Sequence, residues 1–195
     1  MDAVLTAAAQ VFEERGYAEG TTNRIAEAAG VSIGTLYQYF PSKEALAVAL
    51  LERHIEETRR RMREWVGHML AENHTLHASL EDYVSGMLDV HVRRPRLQHI
   101  LLEETPLPEH VHRLLLESEH QYARTLAGLL RTYPDVRHPA LEHAAYVVIH
   151  TVEALTHRFA AHPEDPAIDQ SSLSAELVAM LEAYLSARSL RQAPG

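Results

Sequence analysis

Residues 21–43 read TTNRIAEAAGVSIGTLYQYFPSK, and this stretch is the most informative about the structure of the N-terminal region. It predicts two short helices that meet at Gly30, because glycine adopts the backbone conformations that a sharp turn requires. Thr21 or Thr22 and Ser32 stand where the N-caps of these helices are expected. Apolar residues at helical spacing on both segments would form a small core that fixes the helix crossing. The stretch therefore predicts a helix-turn-helix.

The second of these helices has a polar face that carries no charge. Its exposed positions offer hydroxyl and amide groups, which can hydrogen-bond to phosphate without bringing bulk into a groove. Gly34 lacks a side chain near the helix start, so the backbone can approach DNA closely. Lys43 adds a cation in the first turn of the next helix, where helix-terminal amides also face an anion. The polar positions are Ser32, Thr35, Tyr37, Gln38 and Tyr39.

The sequence on both sides of this stretch is also helical in pattern. A first helix has apolar residues at helical spacing and is predicted to end at Gly16, which would cap it. Beyond residue 70, longer apolar stripes recur at helical spacing and are separated by prolines. No Val- or Ile-rich alternating run competes with them, so we predict an all-α chain with about nine helices.

Residues 21–46 resemble the DNA-binding domain of the TetR family of regulators. The usual pattern of that family is T-[ST]-x-x-x-I-A-x-x-A-G-V-S-x-G-x-[LF]-Y-x-[HY]-F-x-[SN]-K-[ED]-x-L. Sixteen positions match it in one register, while Thr22 falls on a position that the pattern leaves open: Thr21, Ile25, Ala26, Ala29, Gly30, Val31, Ser32, Gly34, Leu36, Tyr37, Tyr39, Phe40, Ser42, Lys43, Glu44 and Leu46.

The resemblance implies a two-part architecture. Residues 1–47 would form a three-helix DNA-binding domain, with a fourth helix linking onward to about residue 66. Residues 48–195 would form a helical ligand-binding and dimerisation domain. The residues implied to touch the DNA backbone are Thr22, Ser32, Thr35, Tyr37, Tyr39 and Lys43. Those implied to lie nearest base edges are Asn23, Ile33 and Gln38.

The partners that the resemblance implies are operator DNA, a second copy of the chain and a small-molecule effector. The stripes at residues 141–160 and 171–187 would form a four-helix bundle across a twofold axis. An unidentified ligand would release the dimer from a palindromic, double-stranded operator, as a repressor does. Whether the chain acts as repressor or activator depends on where the operator lies.

The charge of the chain is the main argument against DNA binding. The formal net charge is −9, and residues 1–50 carry three bases against six acids. Many family members also begin with a basic arm, whereas this sequence starts almost at the first helix, so the contact from such an arm is either absent or made by residues that precede this sequence. The alternative is therefore a helical module that binds a small molecule or a protein and does not bind DNA.

Several function classes are disfavoured by what the sequence lacks. There is no cysteine, so disulfides and thiolate metal sites are excluded and the cytoplasm is the expected location. The sequence contains no run of 18 apolar residues, so it predicts no membrane-spanning helix. The motifs of P-loop, nucleophile-elbow and zinc-protease enzymes are absent, so we expect neither an enzyme nor a bound cofactor.

An effector site is best sought in the stripes beyond residue 80. Aromatic and aliphatic side chains mixed with a few polar groups suit a ligand pocket, although the same stripes would equally build a helical core. The candidate residues are Tyr83, Met87, His91, Ile100, Leu101, Glu104, Tyr122, Leu126, Tyr146 and His150.

One polar stripe, comprising His143, Tyr146, His150, Glu153 and His157, invites a metal interpretation. Residues seven apart rise about 10.5 Å along a helix, so the three histidines cannot share one ion. Only His150 with Glu153, or Glu153 with His157, could bind together. We therefore predict no metal site there, and favour a polar pocket wall or hydrogen bonds at a dimer face.

Overall fold

A computed structural model of the chain describes residues 1–72, 74–93, 95–162 and 167–187. Within these ranges it contains nine α-helices, one π-helical segment and no strand, which confirms the all-α prediction. The helices are α1 (Asp2–Glu19), α2 (Thr22–Ala29), α3 (Ile33–Tyr39), α4 (Lys43–Ala71), α5 (Leu76–Arg93), α6 (Pro95–His99), the π-helical segment (Ile100–Glu104), α7 (Glu109–Leu130), α8 (Leu141–Ala161) and α9 (Gln170–Ser186).

The helices divide into two packing units. Among the residues that the structure describes, those within 1–58 and 94–116 form the N-terminal unit, and those within 59–93 and from 117 onward form the C-terminal unit. Helices α4 and α7 each contribute residues to both units. Packing thus groups 94–116 with the first three helices, whereas the functional division at residues 47 and 48 stays a prediction.

The core of the N-terminal unit is small and completely closed. Phe12 of α1, Ile25 of α2 and Leu36 of α3 are each 0% exposed, so three helices converge on one apolar centre. Ile100 and Leu101 of the π-helical segment belong to the same cluster. A second cluster in this unit joins α4 to α7 through Leu51, Ile55 and Val111. Burial of these side chains fixes how α2 and α3 cross.

Helix α1 is broken at Gly16, where the sequence predicts its end. Gly16 has φ 76° and ψ 171°, a conformation open in practice to glycine alone, but helical structure resumes and continues to Glu19. The predicted end at Gly16 is therefore a kink with one further turn. The N–H of Gly20 donates to the carbonyl of Gly16 at 3.1 Å, which closes that turn.

Gly20 is required because a side chain would not fit there, whereas Gly16 is required by its backbone conformation. A Cβ placed on it would overlap the Phe12 ring, lying 2.8 Å from Cε1 and in closer contact with Cδ1. Because the Phe12 ring is completely buried, it cannot easily shift to relieve the overlap. The tight approach of Gly20 thus fixes the last turn of α1 against the core.

We expect Gly20→Ala to lower the free energy of unfolding by about 1 to 3 kcal/mol, the usual cost of overpacking a core. Chemical denaturation would measure it. Gly34→Ala is the matched control, because its Cβ would meet only Ser32 Oγ at 3.8 Å. In a Phe12→Leu background the cost of Gly20→Ala should shrink, since the ring is gone. Equal costs in both backgrounds would contradict the overlap.

The C-terminal unit is built around α5, which packs against α8 and α9. Its core is aliphatic: Val84 and Leu88 on α5, Val148 on α8 and Leu181 on α9 are at most 2% exposed. Helix α7 contributes further buried leucines to the same cluster. The two last helices match the predicted stripes at 141–160 and 171–187 within one residue at each end. None of the helices in the described ranges combines the length and apolarity needed to span a membrane.

Candidate DNA-binding surface

The helix-turn-helix is formed by α2, the turn at Gly30 and α3. Thr21 caps α2 by accepting a hydrogen bond from the N–H of Arg24 at 3.4 Å, and Ser32 caps α3 by accepting one from Thr35 at 3.0 Å. Gly30 lies in the left-handed region, with φ 67° and ψ 29°. The predicted caps and turn are therefore confirmed, and each is a local property of the sequence.

The outward face of α3 consists of the residues that the sequence singles out. Tyr37 is 47% exposed and Tyr39 is 56% exposed. Ile33, at 38%, is the large apolar side chain exposed on the same helix. Leu36 alone is buried, so it anchors α3 while the polar positions remain accessible. The exposed members are Ser32, Ile33, Gly34, Tyr37, Gln38 and Tyr39, with Asn23 exposed on α2.

Hydroxyl groups on this face are already paired with one another. The hydroxyls of Thr22 and Tyr37 form a hydrogen bond of 3.0 Å, which links the start of α2 to the middle of α3. The hydroxyls of Ser32 and Thr35 form another of 2.8 Å. These bonds orient the paired side chains relative to each other in the free protomer. A preset donor array costs less conformational entropy on binding than a mobile one.

Gly34 differs from Gly30 and Gly20 because neither its backbone nor its neighbours require glycine. Its φ does not lie in the left-handed region, and a Cβ would meet only Ser32 Oγ, at ordinary contact distance. Glycine lowers helix stability by about 1 kcal/mol relative to alanine. The fold therefore does not require glycine at position 34.

Lys43 has a structural role that the sequence did not predict. Its Nζ donates to the carbonyl oxygens of Tyr17 at 2.8 Å and Ala18 at 3.2 Å, and lies 4.2 Å from the centre of the Tyr17 ring. The ammonium group thus satisfies the last carbonyls of α1 and ties them to the first turn of α4. The nearness of a lysine to helix carbonyls depends on the fold, so sequence spacing alone could not indicate it.

The Tyr17 hydroxyl completes this junction by donating to Glu44 Oε1 at 3.1 Å. Burial raises the pKa of Tyr17 to about 12, and the Glu44 carboxylate adds to the rise. The pKa of Glu44 is lowered, first by a hydrogen bond to its own backbone N–H and then by Ser42. Glu44 therefore remains an anion, and one acid of the N-terminal unit is engaged in holding α1 to α4.

The ten residues proposed for an effector site fall in both packing units. In the N-terminal unit, Ile100 and Leu101 are core residues at 0% and 4% exposure. Glu104 accepts a hydrogen bond from the N–H of Tyr17 at 3.1 Å. These contacts account for the three residues without a ligand. The other seven candidates lie in the C-terminal unit: Tyr83, Met87, His91, Tyr122, Leu126, Tyr146 and His150.

Within the C-terminal unit, Tyr83 and His91 are buried polar groups. Burial raises the pKa of Tyr83, and the nearby Glu153 adds to the rise. His91 Nδ1 lies 2.9 Å from the Thr156 hydroxyl and 3.0 Å from the Met87 carbonyl. Leu126 is 1% exposed and packs in the aliphatic core, against which Met87 and Tyr122 are partly buried. A core role accounts for most of these side chains.

His150, in the polar stripe on α8, has a buried ring nitrogen without a hydrogen-bond partner among the described residues. Its Nδ1 lies 3.6 Å from Glu153 and its Nε2 lies 3.9 Å from Glu119, while its ring packs against Tyr146 at 4.1 Å between centroids. Nε2 is buried and has no hydrogen-bond partner among the described residues. Although 48% of the Glu153 side chain is exposed, loss of solvation raises its pKa. The carboxylates of Glu153 and Glu119 lie beside opposite nitrogens of the His150 ring, so they do not converge on one ion.

The chain matches two family descriptions that together cover most of its length. Residues 4–50 match "Bacterial regulatory proteins, tetR family", and residues 75–185 match "Tetracyclin repressor-like, C-terminal domain". The second match alone covers more than half of the chain.

Among curated proteins, the chain is similar to the HTH-type transcriptional activator FasR of Mycolicibacterium smegmatis. The two are 47% identical over 53 residues, which is 27% of this chain and 24% of FasR. The chain spans less than a third of the length of the first curated relatives that it matches. The high identity is thus confined to a short segment.

Solved structures share the fold over nearly the whole chain. A transcriptional regulator FadR from Bacillus subtilis, in complex with stearoyl-CoA, superposes with a TM-score of 0.71 at 21% identity, covering 93% of this chain and 97% of FadR. A TetR-family regulator from Mesorhizobium loti has a TM-score of 0.77 at 17% identity, covering 95% and 94%. At these identities the likeness shows the fold alone.

Proposed function

The chain belongs to the TetR family of bacterial regulatory proteins, and we propose from this membership that it is a dimeric, ligand-responsive DNA-binding regulator of transcription. The observation that carries the proposal is the outward face of α3, which is uncharged, rich in exposed hydroxyl groups and open at Gly34. A face of this kind fits against a negatively charged groove in spite of the acidic chain.

The proposed contacts divide into positioning and sequence reading. Hydroxyl groups and a helix terminus at α2, α3 and the start of α4 contact phosphates and set the register of the protein on the duplex. Side chains that point from α3 and α2 into the major groove read base edges. The phosphate set is Thr22, Ser32, Thr35, Tyr37, Tyr39 and Lys43, and the base-edge set is Asn23, Ile33 and Gln38.

Dimerisation is proposed to use α8 and α9. Tyr146, Val147 and Leu155 on α8 and Met180 on α9 are each between 41% and 46% exposed, although the opposite sides of these helices are buried. Apolar side chains grouped on two neighbouring helices are typical of a surface that packs against a second copy. A twofold arrangement would give each palindromic half-site one α3.

The effector is proposed to act by changing the distance between the two α3 helices. Successive major grooves on one face of B-DNA lie about 34 to 36 Å apart, so a ligand that favours another spacing weakens binding. A coupling of about 1 to 3 kcal/mol would shift operator affinity roughly 5- to 150-fold, and DNA would weaken ligand binding by the same factor. Stearoyl-CoA, which FadR of Bacillus subtilis binds, is a reasonable first compound for a release assay.

The function is tested by selecting genomic DNA fragments with the purified protein at physiological salt. We expect a palindromic fragment to be enriched and shifted by the wild type. Tyr37→Ala should weaken its binding at least about tenfold, because each protomer loses a phosphate hydrogen bond and the Thr22 partner. Tyr37→Phe, which keeps the ring, separates the hydroxyl from the packing. Failure to enrich any fragment would favour the module that does not bind DNA.

A further inference from the structure

Two histidines and a glutamate come together where α4 ends and the chain turns toward α5. His68 Nε2 lies 3.1 Å from Glu72 Oε1, and His74 Nε2 lies 3.1 Å from Glu72 Oε2. The two imidazole rings are 5.4 Å apart between centroids. One ligand atom from each of the three residues lies within 4.8 Å of the others. Both imidazoles therefore present the same nitrogen to one small volume beside a carboxylate.

The backbone under this cluster is held by the core on both sides. Met69, next to His68, is 2% exposed, and Leu76, two residues after His74, is 5% exposed. Ser79 Oγ donates to Met69 Sδ at 3.2 Å and also bonds to the Tyr133 hydroxyl at 2.6 Å. Thr75 caps α5 by accepting from the N–H of Ala78. Residues close to His68 and His74 in the chain are thus anchored in the core of the C-terminal unit.

Two imidazole nitrogens and a carboxylate oxygen form a donor set that suits borderline divalent metals rather than magnesium or calcium. We propose that His68, Glu72 and His74 bind a divalent transition-metal ion of the zinc type. Three protein ligands leave a further coordination position for water. The bound ion would link the end of α4 to the residues that precede α5.

Another histidine of the same unit, His77, pairs with surface carboxylates in a geometry that does not suit a metal, and so differs from this cluster. His77 Nδ1 lies 3.0 Å from Glu182, and its Nε2 lies 3.4 Å from Glu81. The two carboxylates lie beside opposite nitrogens of the His77 ring, so one ion cannot bind both carboxylates and the imidazole. In the described part of the chain, the cluster of His68, Glu72 and His74 is the only group of three or more that meets the spacing for a metal.

The site is tested by calorimetric titration of the full chain with zinc chloride at neutral pH. We expect one tight site per chain, and His74→Gln should weaken it at least about tenfold, since even outer partners of a metal change affinity on that scale. His77→Gln is the matched control, because its side chain is 53% exposed and also paired with carboxylates. The control should bind zinc as the wild type does.

Thermal melting supplies a second readout. Zinc at 100 times its dissociation constant should raise the melting temperature of the wild type and of His77→Gln by about 5 to 10 °C, and should leave His74→Gln nearly unchanged. If both histidine variants lose zinc equally, binding is spread over the 14 histidines of the chain and the proposed site is wrong. Absence of a tight site in the wild type would also overturn it.

Discussion

Gly34→Glu is expected to abolish specific binding to the operator while leaving the fold unchanged. A side chain at this position finds open space within the protein, since its Cβ would meet only Ser32 Oγ at 3.8 Å. In the proposed complex, however, the same space is taken by DNA, and the carboxylate would lie among phosphates. Placing like charges together costs several kcal/mol, which corresponds to a loss of about 100-fold or more.

The measurement is a shift assay on the selected operator, together with thermal melting of the free protein. Gly86→Glu on α5 is the matched control, because a Cβ at Gly86 would also find open space, with nothing within 4 Å, and the change in charge is identical. The control should bind the operator normally. If both variants lose affinity alike, total charge is responsible and α3 is not singled out; if neither does, the proposed DNA surface is wrong.

The helix-turn-helix was predictable because its determinants are local. Thr21 and Ser32 cap the helices that directly follow them, and Gly30 provides the left-handed residue between them. Each acts within about one helical turn, a range over which the sequence determines the hydrogen bonds. The exposed face of α3 follows from the same register, since burying Leu36 turns the neighbouring polar positions outward.

The parts that could not be predicted depend on contacts between distant residues. The kink at Gly16 interrupts the helical hydrogen bonds of α1, and the N–H of Tyr17 is satisfied by Glu104, which lies 87 residues further along the chain. The sequence indicates Glu104 as a candidate effector residue, which stays a prediction, and does not indicate this hydrogen bond. For Lys43, likewise, the sequence predicts only a contact with the DNA backbone, although its ammonium group also donates to carbonyl oxygens of α1. Only the packing of α1 against the π-helical segment and α4 reveals these partners.

Val147→Glu is expected to convert the proposed dimer into a monomer. Val147 on α8 is 43% exposed in the protomer, so the substitution leaves the core of the C-terminal unit intact. Within a twofold interface, each protomer would instead bury one uncompensated carboxylate. Such a charge costs about 3 to 5 kcal/mol, enough to weaken dimerisation by at least 100-fold. A monomer would hold a palindromic operator through one half-site only, so operator affinity should fall with it.

Sedimentation at several protein concentrations would measure this shift, and circular dichroism would show that the helices persist. Leu70→Glu on α4 is the matched control, because Leu70 is 49% exposed and equally apolar but lies on another helix. The control should sediment as the wild type does. Met180→Glu on α9 should reproduce the effect, since both helices are proposed to form one interface. A dimer that survives Val147→Glu and Met180→Glu but dissociates in Leu70→Glu would instead move the interface to α4.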